Sequence, residues 1–281
     1  MKKIMSFLLL NCILITLYGQ EVFISDRLTK KWEVKDELKV PESVFYDNLN
    51  SVIYVSNVSG APTEKDNNGF ISKLSPDGKL ITGQWVTGLH APKGIGVVGN
   101  LLYVSDIDRV AEIDIKQGKI VRFIEVPGSA FLNDIATDAQ GNVYVSDSQN
   151  STIHVIRQGK VELLAKTDAL EGINGLYVYE GNLLAGLKNK IVRIDLKTKE
   201  IIDFIKDTGG IDGLVPDGED SFLISDWQGH VYLVGQSSPK ELLIDTTPSK
   251  VNAADIDYVV SRKLLLVPTF SANSVAAYEL K

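Results

Sequence analysis

Four side chains far apart in the 281-residue chain, Glu42, Asn133, Asn174 and Asp212, offer two carboxylate and two amide groups. Hard cations such as Ca2+ and Mg2+ take oxygen donors of this kind and need neither His nor Cys. Gathered in one place, the two acids would repel each other unless a cation lay between them. Four protein oxygens completed by water would leave coordination positions for a substrate. Taken singly, Asn174 in "NG" and Asp212 in "DG" are ordinary turn residues. The chemistry therefore depends on elements that bring all four together.

An internal repeat supplies those elements. An apolar strand, a turn and a second strand ending in a small or polar residue recur along the chain. The second strands are "VIYVSN" (52–57), "LLYVSD" (101–106), "NVYVSD" (142–147), "NLLAGL" (182–187), "SFLISD" (221–226) and "KLLLVPT" (263–269). With Ser56, Ser105, Ser146, Gly186, Ser225 and Pro268 as phase marks, the intervals are 49, 41, 40, 39 and 43 residues. That is near the period of a four-stranded propeller blade. Segments such as "STIHVIRQGKVELLA" and "KIVRIDLKTKEIIDFI" read as two further strands around polar turns. Beyond the first twenty residues no stretch sustains helical apolar spacing. The sequence predicts an all-β, six-bladed β-propeller of four-stranded blades.

Repeat six ends one strand short after "SVAAYEL", and "KKWEVK" (30–35) ahead of repeat one can supply it. Trp32–Val34 are expected to pair antiparallel with Val275–Leu280, closing the ring and removing an exposed edge. Residues 20–281 then form a single domain.

The strand that opens each repeat lines the channel. Val44, Ile95, Ile135, Leu176, Leu214 and Ile256 register as one column. Two places upstream lie Glu42, Lys93, Asn133, Asn174, Asp212 and Ala254, at one end of the channel. The four oxygen-bearing residues thus share one ring of six positions.

Residues 1–19 differ from the rest: Lys2 and Lys3 precede the apolar run "IMSFLLLNCILITLYG". This is the form of a cleaved signal peptide, with the cut expected near Gly19–Gln20 and the product periplasmic or secreted. Losing two of 29 basic residues leaves 27 against 36 acidic ones, a formal charge of −9. Such an acidic chain with no basic block is a poor partner for nucleic acid, or for membrane beyond the export signal. Cys12 lies in the leader, so the mature chain has no disulfide, thiol nucleophile or thiolate metal site.

"PESVFYDNLNSVIYVSN", "FLNDIATDAQGNVYVSD", "GINGLYVYEGNLLAG" and "GIDGLVPDGEDSFLISDWQG" resemble the senescence-marker-protein/gluconolactonase family, which includes regucalcin. The similarity spans essentially all of the mature chain. It implies a six-bladed ring with one divalent cation, Ca2+ first and Mg2+, Zn2+ or Mn2+ as other occupants, near the channel mouth. It puts the metal ligands on Glu42, Asn174 and Asp212, and places Asn133 on substrate or metal-bound water. The implied reaction is hydrolysis of a lactone or related small ester, with Asp212 as general base. One departure concerns specificity: sugar-lactonase members carry an arginine just before the "LND" asparagine, where this chain has Phe131 and Leu132.

Other residues are assigned to the rim. The loop "NVSGAPTEKDNNG" (57–69) is a candidate lid, and Lys93, Arg109 and Trp227 are candidate substrate contacts. Asp106, Asp147 and Asp226, closing "SD" pairs, are expected to bond turn backbone. His154 and His230 are expected on outer strands away from the channel, whereas His90 precedes an inner strand. Two functions of different class fit these residues: a metal-dependent lactonase-type hydrolase acting on a small molecule, and a non-catalytic propeller that binds a ligand or protein partner.

Overall fold

The computed structural model describes residues 21–35 and 37–281; the expected signal peptide lies outside them. Two strands, β1 (Phe23–Ile24) and β2 (Leu28–Val34), precede the first blade. Blade one is β3 (Pro41–Asp47), β4 (Val52–Asn57), β5 (Gly69–Leu74) and β6 (Leu80–Leu89). Blade two is β7 (Pro92–Val98), β8 (Leu101–Asp106), β9 (Arg109–Asp114) and β10 (Lys119–Glu125). Blade three is β11 (Leu132–Thr137), β12 (Val143–Asp147), β13 (Thr152–Arg157) and β14 (Lys160–Lys166). Blade four is β15 (Leu176–Tyr179), β16 (Asn182–Gly186), β17 (Lys190–Asp195) and β18 (Ile201–Lys206). Blade five is β19 (Leu214–Pro216), β20 (Ser221–Ser225), β21 (His230–Gly235) and β22 (Glu241–Asp245). Blade six holds β23 (Asp257–Val259), β24 (Leu264–Pro268) and β25 (Val275–Leu280), with β2 as its outer strand. No α-helix occurs among the described residues; the only helical segments there are single 3-10 turns.

Each inner strand contacts the next around the ring, and β23 contacts β3. Closure comes from the N-terminal strand as expected: Trp32, Glu33 and Val34 pair antiparallel with Ala277, Ala276 and Val275. The sequence reading did not foresee β1. It adds to blade five, Phe23 opposite Asp245 and Ile24 opposite Ile244, and covers the outer edge of that sheet.

The repeat was visible because second strands are covered on both faces by neighbouring blades. Ile53, Val55, Leu102, Val104, Val145, Leu183, Leu223 and Leu265 are all inaccessible to solvent. A strand buried on both sides reads as a continuous apolar run instead of an alternation, and each such side chain contributes about 1.5–3 kcal/mol of burial.

Strand pairing bears out the column. Val44, Ile95, Ile135, Leu176 and Leu214 sit opposite Val55, Val104, Val145, Ala185 and Ile224. Every one of these partners immediately precedes a phase-mark residue. In blades one to three the inner ladder is interrupted just upstream, between Pro41 and Ser43, Pro92 and Ile95, and Leu132 and Ile135. Glu42, Lys93 and Asn133 fall in those interruptions, where a bulge re-aims the side chain.

Candidate metal centre and channel-mouth cavity

Glu42, Lys93, Asn133, Asn174 and Asp212 all line one cavity of about 660 Å3 at the channel mouth, and Glu42, Lys93, Asn133 and Asp212 are themselves buried. The sixth position, Ala254, is buried and offers no donor.

The serines that mark the repeat hold this ring in place, a role that the sequence reading did not give them. Ser146 Oγ accepts the backbone N–H of Asp134 at 3.0 Å within its own blade and donates to Asn174 O at 2.9 Å in the next. Ser225 Oγ accepts from Gly213 N at 2.8 Å and donates to Ala254 O at 2.6 Å. Ser105 Oγ donates to Asn133 O. One hydroxyl thus satisfies an N–H left over at the bulge and a carbonyl of the following blade, so the ring positions are tied blade to blade. Gly186 stands at the fourth mark because a Cβ there would lie 2.4 Å from Ile211 Cγ2.

Asn174 Nδ2 donates to Asp212 Oδ1 at 2.8 Å. Asn174 Oδ1 and Glu42 Oε2 are buried acceptors without a hydrogen-bond partner. Such atoms are costly unless something absent from the protein itself satisfies them. Two hard acceptors of this kind, one carboxylate and one amide, beside the Asp212 carboxylate fit a divalent cation. Among the described residues no three His, Cys, Asp or Glu side chains converge as a ready-made ligand group, so the set depends on its amide oxygens.

Electrostatics point the same way. Burial, with Asp212 next in importance, pushes the Glu42 carboxyl well above the usual carboxylate range, and Lys93 opposes this. Burial likewise pushes Asp212 up to about 7, against the hydrogen bond from Asn174. A further acidic layer, missed in the sequence, lies directly below. Asp134 and Asp255 follow Asn133 and Ala254 by one residue and are both buried. Desolvation raises Asp134 to about 7 and Asp255 well above its ordinary range, with repulsion between the acids contributing. Asp255 Oδ2 accepts from Ser43 Oγ at 2.5 Å, and Asp134 Oδ2 from Leu176 N at 2.5 Å. The signal was available: the position after the column reads Ser43, Gly94, Asp134, Gly175, Gly213, Asp255. Glycine is needed at all three of its positions here by close strand approach, since a Cβ on Gly94 would meet Asp134 Cα at 2.5 Å, one on Gly175 would meet Asp212 O at 2.6 Å and one on Gly213 would meet Ile256 N at 2.4 Å. Gly213, next to Asp212, is therefore a packing requirement of the inner ring.

Lys93 is engaged from every side. Its Nζ donates to Pro62 O at 3.0 Å and Ala91 O at 2.9 Å, and lies 4.5 Å from the centre of the Phe131 ring. The Pro62 bond fastens the 57–69 loop to the channel, so that loop does reach the mouth. Arg109 does not line the cavity. Its Nε donates to Asp106 Oδ2 at 2.9 Å and its guanidinium stacks 3.6 Å from the Phe123 centroid. Trp227 does line it, 48% exposed, with its ring edge-on to Phe270 at 4.5 Å.

The "SD" aspartates bond turn backbone as expected: Asp106 accepts from His90 N and Ala91 N, Asp147 from Ala130 N, Gln149 N and Asn150 N. Asp226 does the same for Gln228 N and Gly229 N, and it also holds His230 Nδ1 at 2.8 Å. His230 corrects the sequence expectation: it opens β21 at the cavity instead of facing away from the channel. Alternation along β21 predicted the face of the sheet but could not tell which end of the strand meets the mouth. His154 stays outside the cavity, beside Thr152, and His90 accepts from Asn67 N at 3.3 Å.

No protein-family model and no curated protein matches the chain. Solved structures share its fold. Streptogramin B lyase aligns with TM-score 0.65 and 13% identity over 90% of this chain and 97% of that one. A catalytically inactive His-to-Ala variant of virginiamycin B lyase from Staphylococcus aureus, solved with quinupristin, gives 0.63 and 14% over 90% and 99%. A chain of a nidogen/laminin complex gives 0.62 and 18% over 77% and 88%. At these identities the likeness is one of propeller fold.

Proposed function

We propose that this chain is a divalent-cation-dependent hydrolase of the lactonase type, opening a lactone or related small ester at the channel mouth. The observation that carries the reading is the pair of buried, unpartnered acceptors, Glu42 Oε2 and Asn174 Oδ1, beside Asp212. Glu42, Asn174 and Asp212 would hold the cation, with Ca2+ the first candidate and Mg2+, Zn2+ or Mn2+ the others. When bound, the cation supplies Lewis-acid polarisation of a carbonyl and acidifies water. The chain supplies the rest. Asp212 removes a proton from water as it adds to the acyl carbon; the ring C–O bond breaks, and the same proton goes to the departing alkoxide to give a hydroxy acid. The Asn174 amide fixes which Asp212 oxygen is engaged. Asn133, steadied through Nδ2 by Ser148 Oγ at 3.2 Å, orients the substrate or its water. The resemblance to the gluconolactonase family supports the same reading.

Export is part of the proposal, since calcium sites of extracellular modules work at about 10⁻⁴–10⁻³ M. The test is hydrolysis across a lactone panel with Ca2+ and with EDTA. Turnover that EDTA abolishes, that Ca2+ restores and that Asp212→Asn lacks is expected. Cation binding with no turnover on any lactone would transfer the site to the ligand-binding class of propeller.

A further inference from the structure

The geometry points to a flat, apolar ring as the group that this cavity takes next to the reacting acyl carbon: an aryl-fused or aryl-substituted lactone, not a polyhydroxylated sugar lactone. The inference deepens the hydrolase reading and rests on it only for the lactone function.

The first support is the wall. Trp227, Phe270, Phe131, Tyr232, Ile173 and Ile211 all face the 660 Å3 space, a size suited to a small organic ligand. Trp227 leaves about half of its surface open, while Phe270 meets it edge-on at 4.5 Å, so an aromatic corner stands at the mouth. Aromatic faces in such an arrangement accept another flat ring by offset or edge contact.

Phe270 holds its corner at a cost. Its φ is 45°, the left-handed region that a bulky L-residue seldom occupies. Its other side packs on the buried cluster of Val58, Ala91 and Ile107. Strain that a structure maintains at a cavity wall is a pointer to use of that wall.

The second support is that the cationic side chains nearest the mouth are already engaged within the protein. A polyol is recognised by N–H and O–H groups aimed at its oxygens, and each one missing leaves a buried hydroxyl unpaired. The Lys93 ammonium is already spent on Pro62 O, Ala91 O and the Phe131 face. Lys188 is paired with Glu171, and Arg109 with Asp106 outside the cavity. Asn133 spends one of its two Nδ2 hydrogens on Ser148 Oγ and keeps the other for the substrate or its water. Phe131 faces the cavity as apolar surface and covers the Lys93 ammonium.

The test uses lactams, which keep the ring and carbonyl of a lactone but are not opened, so that binding is read without turnover. The mature protein with saturating Ca2+ is titrated calorimetrically with a benzo-fused δ-lactam and with a polyhydroxylated δ-lactam. The benzo-fused compound is expected to bind about tenfold tighter or better. Trp227→Ala should weaken it by roughly tenfold, and Trp227→Phe should restore it to within about threefold. Unchanged circular dichroism and melting of Trp227→Ala exclude misfolding, as its half-exposed position leads one to expect. Equal or tighter binding of the polyhydroxylated lactam, binding of neither, or indifference of the benzo-fused one to Trp227→Ala overturns the inference. Lactam binding of the expected pattern without hydrolysis of any lactone overturns the hydrolase reading alone.

Discussion

Asn174 gives its Nδ2 hydrogen to Asp212 Oδ1 at 2.8 Å and is left with Oδ1 buried and unpartnered. The two residues are on adjacent blades and 38 positions apart. The bond fixes both amide and carboxylate, so that the amide oxygen and the free carboxylate oxygen are held as acceptors. Glu42 Oε2 adds a third acceptor from blade one. Without a cation, the arrangement stores repulsion between Glu42 and Asp212; with one, it would be the proposed ligand set.

That contrast gives Asp212→Asn two effects of opposite sign. The amide removes one of two repelling carboxylates, and so at pH 8 in EDTA the variant is expected to melt higher than wild type, by about 1 kcal/mol of stability. In saturating Ca2+ the order reverses, because bound cation stabilises only the protein that holds it, by about 2.7 kcal/mol at 100 times Kd. Calorimetry should show Ca2+ affinity reduced by about 100-fold or more. A variant less stable than wild type in both conditions would make Asp212 a structural residue.

The blade count, the closing strand and the column of ring residues were legible because they rest on local patterns: buried second strands as apolar runs, and inner strands in fixed register with them, Val44 opposite Val55 and Leu214 opposite Ile224. Much of what was not legible depends on contacts between blades. Ser146 looked like a phase mark, yet its hydroxyl bridges Asp134 N to Asn174 O. Lys93 was placed in the right ring, but only the fold brings Pro62 of the 57–69 loop and Phe131, just ahead of β11, onto its ammonium. Arg109 lay in the right loop region and turned to Asp106, and His230 lay on the right strand with its end of the strand unread.

The buried acids give stability a pH dependence with a definite sign. Desolvation first, then neighbouring charge, raises Asp134 to about 7, and desolvation, helped by the Asp226 charge and opposed by the Asn174 bond, raises Asp212 to about 7; Glu42 and Asp255 stand well above their ordinary range. Unfolded, such groups lose their protons near 4. Between these limits the folded chain carries more protons than the unfolded one. The stability so conferred is full below about pH 4 and is lost as pH rises through about 7. In EDTA the melting temperature is expected to fall from pH 5 to pH 8. Saturating Ca2+ should flatten or reverse the trend, since the cation binds the ionised carboxylates and displaces protons. A metal-free melting temperature that climbs across this window contradicts the assignment.

Lys93→Met separates two roles of the ammonium. Pro62 O and Ala91 O each lose a donor, which costs about 1–3 kcal/mol for a buried group left unpaired and releases the 57–69 loop. Limited proteolysis within that loop should accelerate. Glu42 meanwhile loses the positive neighbour that competes with a cation, and so Ca2+ should bind roughly tenfold tighter. Weaker Ca2+ binding with an unchanged cleavage rate would show that Lys93 neither fastens the loop nor balances Glu42.

Ser146→Ala and Ser105→Ala compare two hydroxyls of the same kind at different ring positions. Both lie in fully buried sites and each donates to a ring carbonyl of the next blade, Ser146 to Asn174 and Ser105 to Asn133. Either loss leaves a buried carbonyl unpaired, so both variants should be destabilised by about 1–3 kcal/mol in denaturant titration. Their effects on the cation differ, because Asn174 carries the orphaned Oδ1 and Asn133 bonds to Ser148. Ser146→Ala moves the backbone that sets the Asn174 side chain and should weaken Ca2+ by about tenfold, in the range measured for residues that orient metal ligands. Ser105→Ala should leave Ca2+ affinity within about twofold and act instead on KM for the substrate that Asn133 orients. Equal losses of Ca2+ affinity in the two variants would mean that the serines act on the ring as a whole and not on individual ligands.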